Sequence, residues 1–321
     1  MGLVVEYLEL EKEFAKYIGV KGSISVSTGT AALHVALEAL KLPEKSEIII
    51  PQYTMIATAW AAYYARLVPV FIDCCDDLLI DISKIKQKIS PKTRVIMVTH
   101  IYGRVVNMDE VMSLAKEYGL RVVEDAAEAH GCTWNNKMVG SYDIGCFSFY
   151  RNKIICGEEG GAVTSDDLDF LEIVKDMKSM SFGKSHNYMH MQIGFNYRMA
   201  NSQASLIRDS LNNVQRNIAI RRKYALLYDS IIDKKYHMPR RDVPWVYDIK
   251  VENNTIVNIL RNKDIPARYG FKPVSTSAPF FEDATHTKAY EKSKNIMYLP
   301  IGPELNEDTI THIASSVREL L

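Results

Sequence analysis

The sequence predicts an α/β protein with a mostly parallel β-sheet sandwiched by helices and a smaller α+β C-terminal domain. Short, nearly all-apolar segments alternate with helical segments in the first part of the chain, which is typical of a parallel sheet covered on both faces. Later segments change to short strands and helices. The chain has 321 residues, 47% of them hydrophobic, enough for two domains. We predict them at 1–211 and 212–321.

The elements of the first domain follow from hydrophobic periodicity. Leu8 to Ile18 has helical spacing, and the Ser27 to Thr30 turn opens a second helix that Pro43 stops. The short apolar strand at 48–50 ends at Pro51. In chain order, the pattern predicts helices at 8–18, 31–40, 54–65, 80–89 and 108–118, and strands at 48–50, 68–73, 94–98 and 121–125.

The second domain begins with a different pattern. A longer helical stretch rich in arginine runs from about 212 to 232. An alternating strand at 245–251 and helices at 254–262 and 308–320 follow it, and no internal repeat is visible.

Composition excludes several classes of protein. Lysine plus arginine equals aspartate plus glutamate at 39 each, so no overall field favours nucleic acid or an anionic membrane. The five cysteines include no CxxC pair, which argues against a zinc site and favours reduced thiols. The acidic amino terminus does not resemble a signal peptide, and no stretch of about 18 apolar residues occurs. We therefore expect a soluble cytoplasmic protein without a bound metal.

Lys153 is the most informative residue. It lies in the run from Ser148 to Gly161, between an aromatic segment and a glycine-rich turn. Most lysines are exposed, but these neighbours predict a partly desolvated pocket that lowers the amine pKa and favours imine formation.

A carboxylate and a helix start complete a set of groups. Asp125 ends an apolar strand, where a carboxylate can hold a pyridine nitrogen protonated or can simply cap the next segment. Thr28 to Thr30 offer either a phosphate seat or an ordinary helix cap, and Ser148 can add a hydroxyl to that seat. An imine-forming amine, a ring-nitrogen partner and a phosphate seat together point to pyridoxal 5'-phosphate.

Other polar residues leave alternatives open. Glu128 lies three residues after Asp125 and can reach the same ligand, whereas His130 is more often a packing histidine. Asn196 is by default a capping or surface residue. Arg268 lies in a basic loop where an anionic ligand and plain solvation have equal weight.

The order of these motifs carries a family resemblance over nearly the whole chain. The sequence resembles the DegT/DnrJ/EryC1/StrS sugar aminotransferases, which have the type I fold of pyridoxal-phosphate enzymes. The matching motifs are Ser27-Thr-Gly-Thr-Ala-Ala-Leu33, Pro69-Val-Phe-Ile-Asp73, His100-Ile-Tyr-Gly103, Glu124-Asp-Ala-Ala-Glu-Ala-His-Gly131, Phe147-Ser-Phe-Tyr150 with Lys153, Gly160-Gly-Ala-Val163, Asn196-Tyr-Arg-Met199 and Leu299-Pro300.

The resemblance implies a role for each site residue. Lys153 would be the catalytic lysine that binds the cofactor covalently, and Asp125 would be the partner of its ring nitrogen. The residues that would contact the phosphate are Gly29, Thr30 and Ser148. Asn196 would reach the phosphate in the neighbouring subunit, which implies a homodimer with shared active sites.

Departures from the family pattern bear on the substrate. Met55 stands where the family usually places an aromatic ring over the cofactor, with Trp60 as a possible substitute, and Ser275 replaces a histidine frequent in the late loop. Glu128, where glutamine is common, and the 265–273 loop resemble the GDP-perosamine synthase branch.

The function that the resemblance implies is amino transfer from L-glutamate to C4 of a nucleotide-linked 4-keto-6-deoxyhexose. GDP is favoured, with UDP- or dTDP-linked sugars and C3 amination as alternatives. Lys153 argues against the family's 3-dehydratases, which have histidine there. A non-catalytic dimer that binds the cofactor is the alternative from another class.

Overall fold

The structure, a computed structural model, describes residues 5–183, 188–252 and 255–321. In chain order its regular elements are α1 (Glu6–Ile18), β1 (Gly22–Val26), α2 (Gly29–Ala39), β2 (Glu47–Pro51), α3 (Ile56–Tyr64), β3 (Val68–Ile72), β4 (Thr93–Thr99), α4 (Met108–Tyr118), β5 (Arg121–Asp125), β6 (Thr133–Trp134), β7 (Lys137–Met138), β8 (Ile144–Ser148), β9 (Gly161–Ser165), α5 (Leu168–Met177), α6 (Asn201–Asn212), α7 (Val214–Ile231), β10 (Tyr247–Lys250), α8 (Ile256–Arg261), β11 (Arg268–Tyr269), α9 (Lys288–Asn295), β12 (Ile296–Leu299) and α10 (Glu307–Arg318).

The central sheet has seven strands in the order β1-β9-β8-β5-β4-β2-β3. Strands β8, β5, β4, β2 and β3 are parallel, whereas β9 runs antiparallel to both β8 and β1. The inner strands β4 and β5 of this sheet are mostly apolar and buried, as expected for a sheet with helices on both faces. The predicted fold class is therefore confirmed, with one reversed strand that the sequence pattern did not reveal.

Local capping explains where several helices begin and end. The Thr28 side chain accepts a hydrogen bond from the Ala31 amide at the start of α2, and Asn107 does the same for Glu110 at the start of α4. Helix α4 ends at Gly119, whose φ of 66° belongs to the left-handed region. The positions of α2 and α4 relative to the sheet edge are thus set by short sequence signals.

One predicted helix is wrong. Residues 80–89 form two 3₁₀ turns, Ile82–Lys84 and Lys86–Lys88, instead of an α-helix. Ile80 is held in extended conformation by a bridge to Cys74, so only a short segment remains before the next strand. The buried side chains of Ile80 and Ile85 still pack under the sheet, which explains the apolar periodicity.

Helix α4 and strand β5 match their predicted bounds, and other predicted elements shift by a few residues. The strand predicted at 245–251 covers only β10, which leaves Trp245 outside the strand. The long helix from 212 is α7, separated from α6 at Asn213. The helix predicted at 254–262 is α8, and residue 254 itself lies outside the described residues.

A second, three-stranded sheet with the order β10-β12-β11 lies after α7. It shares a separate apolar core with α8, α10 and the second half of α7, where Tyr228 stacks on Tyr247. The first half of α7, at Val214 and Ile218, packs instead into the core beneath α1. The change from one core to the other therefore falls within α7, between Ile218 and Tyr224, a few residues after the predicted boundary at 211/212, which stays a prediction.

The longest described helix, α7, carries several charged residues, and none of the helices within the described ranges is long and apolar enough to cross a bilayer.

Candidate active site

Three loops of the central sheet converge at one edge. Strand β5 ends at Asp125 and strand β8 ends at Ser148, which pairs with Gly161. Val26 of β1 pairs with the same Gly161, so the turn that starts α2 reaches this edge as well. Ligands of open α/β sheets collect at the carboxyl ends of the parallel strands, and the sheet order therefore brings together residues far apart in sequence.

Asp125 is buried and firmly held. Its Oδ2 accepts a hydrogen bond of 2.7 Å from the Thr58 hydroxyl, and its Oδ1 accepts one of 3.2 Å from the Ala127 amide. Burial raises the pKa of Asp125, while these donors and the Lys153 ammonium oppose the rise. A cation placed against this carboxylate would favour its ionised form further.

Lys153 enters the same pocket from the turn after β8. Its amide donates to the Tyr150 carbonyl at 2.8 Å, and its side chain is only 11% exposed. The Nζ atom lies 4.0 Å from Oε1 of Glu128 and 3.8 Å from the centroid of the Trp245 ring. Burial lowers the pKa of Lys153, against the opposing charges of Glu128 and Asp125. A lower pKa increases the fraction of free amine, the form that reacts with a carbonyl.

Glu128 is the third charged member of the pocket. Its Oε2 accepts a hydrogen bond of 3.0 Å from the Tyr102 amide, in the loop that follows β4. Burial raises the pKa of Glu128 to about 7, although the Lys153 charge lowers it. Glu128 and the Lys153 amine are therefore close enough to influence each other's protonation.

The start of α2 and Ser148 form a tight concave seat. A Cβ atom on Gly29 would lie 2.6 Å from the Ser148 Cβ, so only glycine fits there. Thr28 caps the helix with its own hydroxyl, while the first amides of a helix have no partner within it. The cap and the anion seat are thus compatible, and Gly29, Thr30 and Ser148 lie where a phosphate would meet the positive end of α2.

Met55 and Asn196 lie at the rim of this region. Met55 precedes α3 and is 50% exposed. Asn196 is exposed, and its segment is anchored beside the phosphate seat because the Ser27 amide donates to the Tyr197 carbonyl at 2.8 Å. Both side chains are accessible to a ligand or to a second chain.

Several other polar residues have structural contacts. His130 is buried between Phe147 and Phe149, and its Nδ1 accepts from the Ile155 amide at 3.2 Å, so burial lowers its pKa to about 3. Ser275 is buried and exchanges hydrogen bonds with Gln52. Arg268 is exposed in β11. The packing interpretation of His130 is the one that the structure supports.

Three residues that shape the pocket carry no recognisable signal in the sequence. Thr58 holds Asp125, Trp245 covers Lys153, and Arg221 binds the Trp245 carbonyl. Thr58 follows Met55 at the start of α3, but no local pattern connects it with residue 125. The other two belong to the second half of the chain, and only the tertiary fold brings them to the lysine.

These groups fit pyridoxal phosphate. The seat between Gly29 and Ser148 excludes a Cβ atom and adjoins free helix amides, as a phosphate group requires. A buried carboxylate at residue 125 suits a protonated ring nitrogen, and the partly desolvated amine of Lys153 suits a carbonyl partner.

Comparison with known proteins decides the family. The model of the DegT/DnrJ/EryC1/StrS aminotransferase family matches residues 5–318. The chain belongs to this family. It is thus an aminotransferase of the pyridoxal-phosphate-dependent type, as the sequence predicts.

Individual members of the DegT/DnrJ/EryC1/StrS family align along almost the full length. The GDP-perosamine synthase of Caulobacter vibrioides is 32% identical, over 98% of this chain and 90% of that protein. The GDP-perosamine synthase of Escherichia coli O157:H7 is 34% identical, over 97% and 89%. The X-ray structure of DesV from S. venezuelae superposes with a TM-score of 0.92 at 27% identity, over 100% of this chain and 90% of DesV. The fold of this family member is thus confirmed as that of the sugar aminotransferases.

Proposed function

We propose that this aminotransferase moves an amino group from L-glutamate to C4 of a nucleotide-linked 4-keto-6-deoxyhexose, with GDP as the nucleotide. The observation that carries the proposal is the buried pocket around Lys153. Its Nζ lies 4.0 Å from Oε1 of Glu128, and the charges of Lys153 and Asp125 shift each other's pKa. Membership of an aminotransferase family supplies the reaction class.

Pyridoxal phosphate, when bound, supplies an electron sink that stabilises a carbanion beside the transferred nitrogen. Asp125 would hold a proton on the ring nitrogen, because its position is fixed by Thr58 and the Ala127 amide. Lys153 would then accept and return a proton through Nζ as a free amine. Glu128 would keep the amine within the pocket and take part in its protonation.

The choice of GDP and of C4 rests on narrower observations. Glu128 and the 265–273 loop resemble the GDP-perosamine synthase branch, and the Caulobacter vibrioides relative with that name is 32% identical. Ser275, which replaces a histidine of the late loop, is turned inward to Gln52. We infer that substrate contacts in this loop come from other residues, among which Arg268 is exposed and cationic.

The protein would act as a homodimer in the cytoplasm. Asn196 is exposed next to the phosphate seat, as a residue that serves the neighbouring subunit must be. All five cysteines are free thiols, as expected in a reducing compartment.

The test is product analysis. Wild type, K153A and K153R would be loaded with pyridoxal phosphate and incubated with L-glutamate and GDP-, UDP- or dTDP-linked 4-keto- and 3-keto-sugars. We expect an enzyme absorbance band that bleaches with L-glutamate and a GDP-linked 4-amino sugar by mass spectrometry, both lost in K153A and K153R.

The other outcomes separate the alternatives. A UDP- or dTDP-linked product, or a 3-amino sugar, would replace the proposed substrate within the same reaction class. Loss of the C3 hydroxyl without amination would indicate a dehydratase. A band that no amino acid bleaches would favour a non-catalytic dimer, and full turnover in K153A would overturn the assignment of the lysine.

A further inference from the structure

Trp245 covers Lys153 and is hydrogen-bonded to the residue before it, Asn152. The indole ring lies 3.8 Å from Nζ, measured to the ring centroid, and its Nε1 donates a hydrogen bond of 2.8 Å to the carbonyl of Asn152. Trp245 is only 6% exposed and also packs against Tyr102 and Tyr298. One side chain from the second half of the chain therefore limits the movement of both the lysine and the residue before it.

Arg221 is hydrogen-bonded to the backbone of Trp245. Its Nη1 donates a hydrogen bond of 2.7 Å to the Trp245 carbonyl and a second bond to the Ile301 carbonyl. The side chain comes from the middle of α7 and is 3% exposed. Position 221 thus connects α7, residue 245 and the segment after β12 at one buried point.

An arginine such as Arg221 is an unusual residue for a buried contact between three segments. No carboxylate among the described residues lies within ion-pair distance of its guanidinium, and its Nε is buried without a hydrogen-bond partner. Burial lowers the pKa of Arg221, and the charge of Glu304, which is not within ion-pair distance, raises it. Burying a cation without a carboxylate in direct contact is costly, because the charge loses its hydration. Because this buried arginine is destabilising, we expect it to have a role that depends on its positive charge or on the several N–H donors of its guanidinium.

We propose that Arg221 is a positioning residue of the active site, which presses Trp245 against Lys153 and places a fixed positive charge behind the lysine pocket. This inference rests on the proposed role of Lys153 as the residue that binds the cofactor. In this proposal Trp245 connects Arg221 with Lys153, which explains why α7 carries a buried arginine at the start of the second domain.

The electrostatics agree with this geometry. The charged groups around Lys153 are Glu128 and Asp125 on the sheet side and Arg221 on the α7 side. The two carboxylates raise the pKa of Lys153, whereas burial and the Arg221 charge lower it. The same arginine contributes to the lowered pKa of His130. Removing the charge should therefore raise the pKa of the lysine.

The test measures the lysine directly and uses no sugar. Cofactor-free wild type, R221M, R221K and W245F would be labelled with a limiting amount of acetic anhydride across a pH series. Peptide mass spectrometry would give the pH midpoint for acetylation of Lys153. Binding of pyridoxal phosphate would be titrated in parallel, and circular dichroism would check the fold of each variant.

We expect R221M to move the labelling midpoint upward by about half to one pH unit, since it removes a nearby buried charge. Affinity for pyridoxal phosphate should fall by about tenfold because the amine is more often protonated and less fixed. R221K keeps the charge and should lie closer to wild type in both measurements. W245F keeps the ring but loses the bond to Asn152, so it should weaken cofactor binding with a smaller shift of the midpoint.

Two results would overturn the proposal. The first is a folded R221M whose labelling curve and cofactor affinity equal those of wild type. Arg221 would then have only a structural role. If R221M does not fold, W245F decides, and unchanged cofactor binding in W245F would refute the positioning role. A failed sugar panel would not affect these readouts, so the substrate proposal and this one can fail separately.

Discussion

Glu128 and Lys153 determine each other's protonation. Their charged atoms lie 4.0 Å apart in a buried pocket, where the attraction between opposite charges is screened less than in water. The carboxylate raises the pKa of the lysine, and the lysine lowers the pKa of the carboxyl, which burial alone would raise further. The family resemblance makes this pair informative, because glutamine is common at the Glu128 position.

The substitution E128Q tests this coupling. Glutamine keeps an oxygen that can accept from the Tyr102 amide but removes the negative charge near Nζ. The pKa of Lys153 should therefore fall, so that the midpoint of Lys153 acetylation in the cofactor-free enzyme moves to lower pH by about half to one unit. Activity should then extend to lower pH.

The matched control is E159Q. Glu159 is an exposed carboxylate on the same loop as the lysine, so its removal should leave the labelling midpoint within error. A midpoint that stays constant in E128Q, or one that rises, would contradict the coupling that the structure indicates.

Only some residues of the candidate active site can be predicted from the sequence. Asp125 could be placed at the sheet edge from sequence because it ends a predicted strand and strand ends of a parallel sheet meet at one edge, whereas Ser148 was assigned to the phosphate seat only as a hydroxyl near Lys153. Thr58 bonds to a carboxylate 67 positions away, and Trp245 lies 92 positions after the lysine that it covers. No local spacing encodes such contacts, and they follow only from packing between distant elements.

At the scale of elements, short sequence signals located most of the framework. Helix α4 and strand β5 begin and end at their predicted residues, because Asn107, Gly119 and an apolar run mark them. The helix predicted at 80–89 failed since a bridge from Cys74 holds Ile80 extended. Strands β1, β8 and β9 were not predicted, and the antiparallel direction of β9 depends on its pairing with β8 and β1, which the pattern of one strand does not record.

The loop after β4 makes a close contact with the second half of the chain. Gly103 has a φ of 85°, and a Cβ atom there would lie 1.7 Å from the Val243 carbonyl oxygen. Its own carbonyl accepts a hydrogen bond of 2.9 Å from the Asp242 amide. A side chain at position 103 would thus push apart the loop that binds Glu128 and the segment that leads to Trp245.

The substitution G103A should reduce the free energy of unfolding by about 3 kcal/mol or more, because backbone strain and overpacking add. Gly119 offers the control, since its φ of 66° is also left-handed but nothing lies within 4 Å of its Cβ position. G119A should cost only about 1 kcal/mol. Urea unfolding at one protein concentration would compare them, and equal losses would show that the close contact has no effect.

At the scale of the whole molecule, the shared active site is the proposal with the widest consequences. The segment that ends at Asn196 has solvent-exposed apolar side chains, with Met191 88% exposed and Ile193 73% exposed. Large apolar groups exposed together mark surfaces that another chain covers. An isologous dimer would bury this surface twice and bring each Asn196 toward the partner's phosphate seat.

Mixed dimers test this arrangement. We expect K153A and N196A to be inactive or strongly impaired as homodimers, the second through weak cofactor binding. Co-expression of the two chains gives heterodimers in which one site carries both changes and the other carries neither. Random pairing should then restore roughly a quarter of the wild-type activity, since half of the dimers are mixed and each has one intact site.

The opposite geometry predicts a different number. If Asn196 serves the site of its own chain, every site in a mixed dimer carries one defect, and activity stays at the level of the separate variants. Chains isolated with two different affinity tags would confirm that the measured species is the heterodimer. Full activity of the N196A homodimer would also contradict the proposal, because the shared site requires this side chain to contact the cofactor phosphate across the interface.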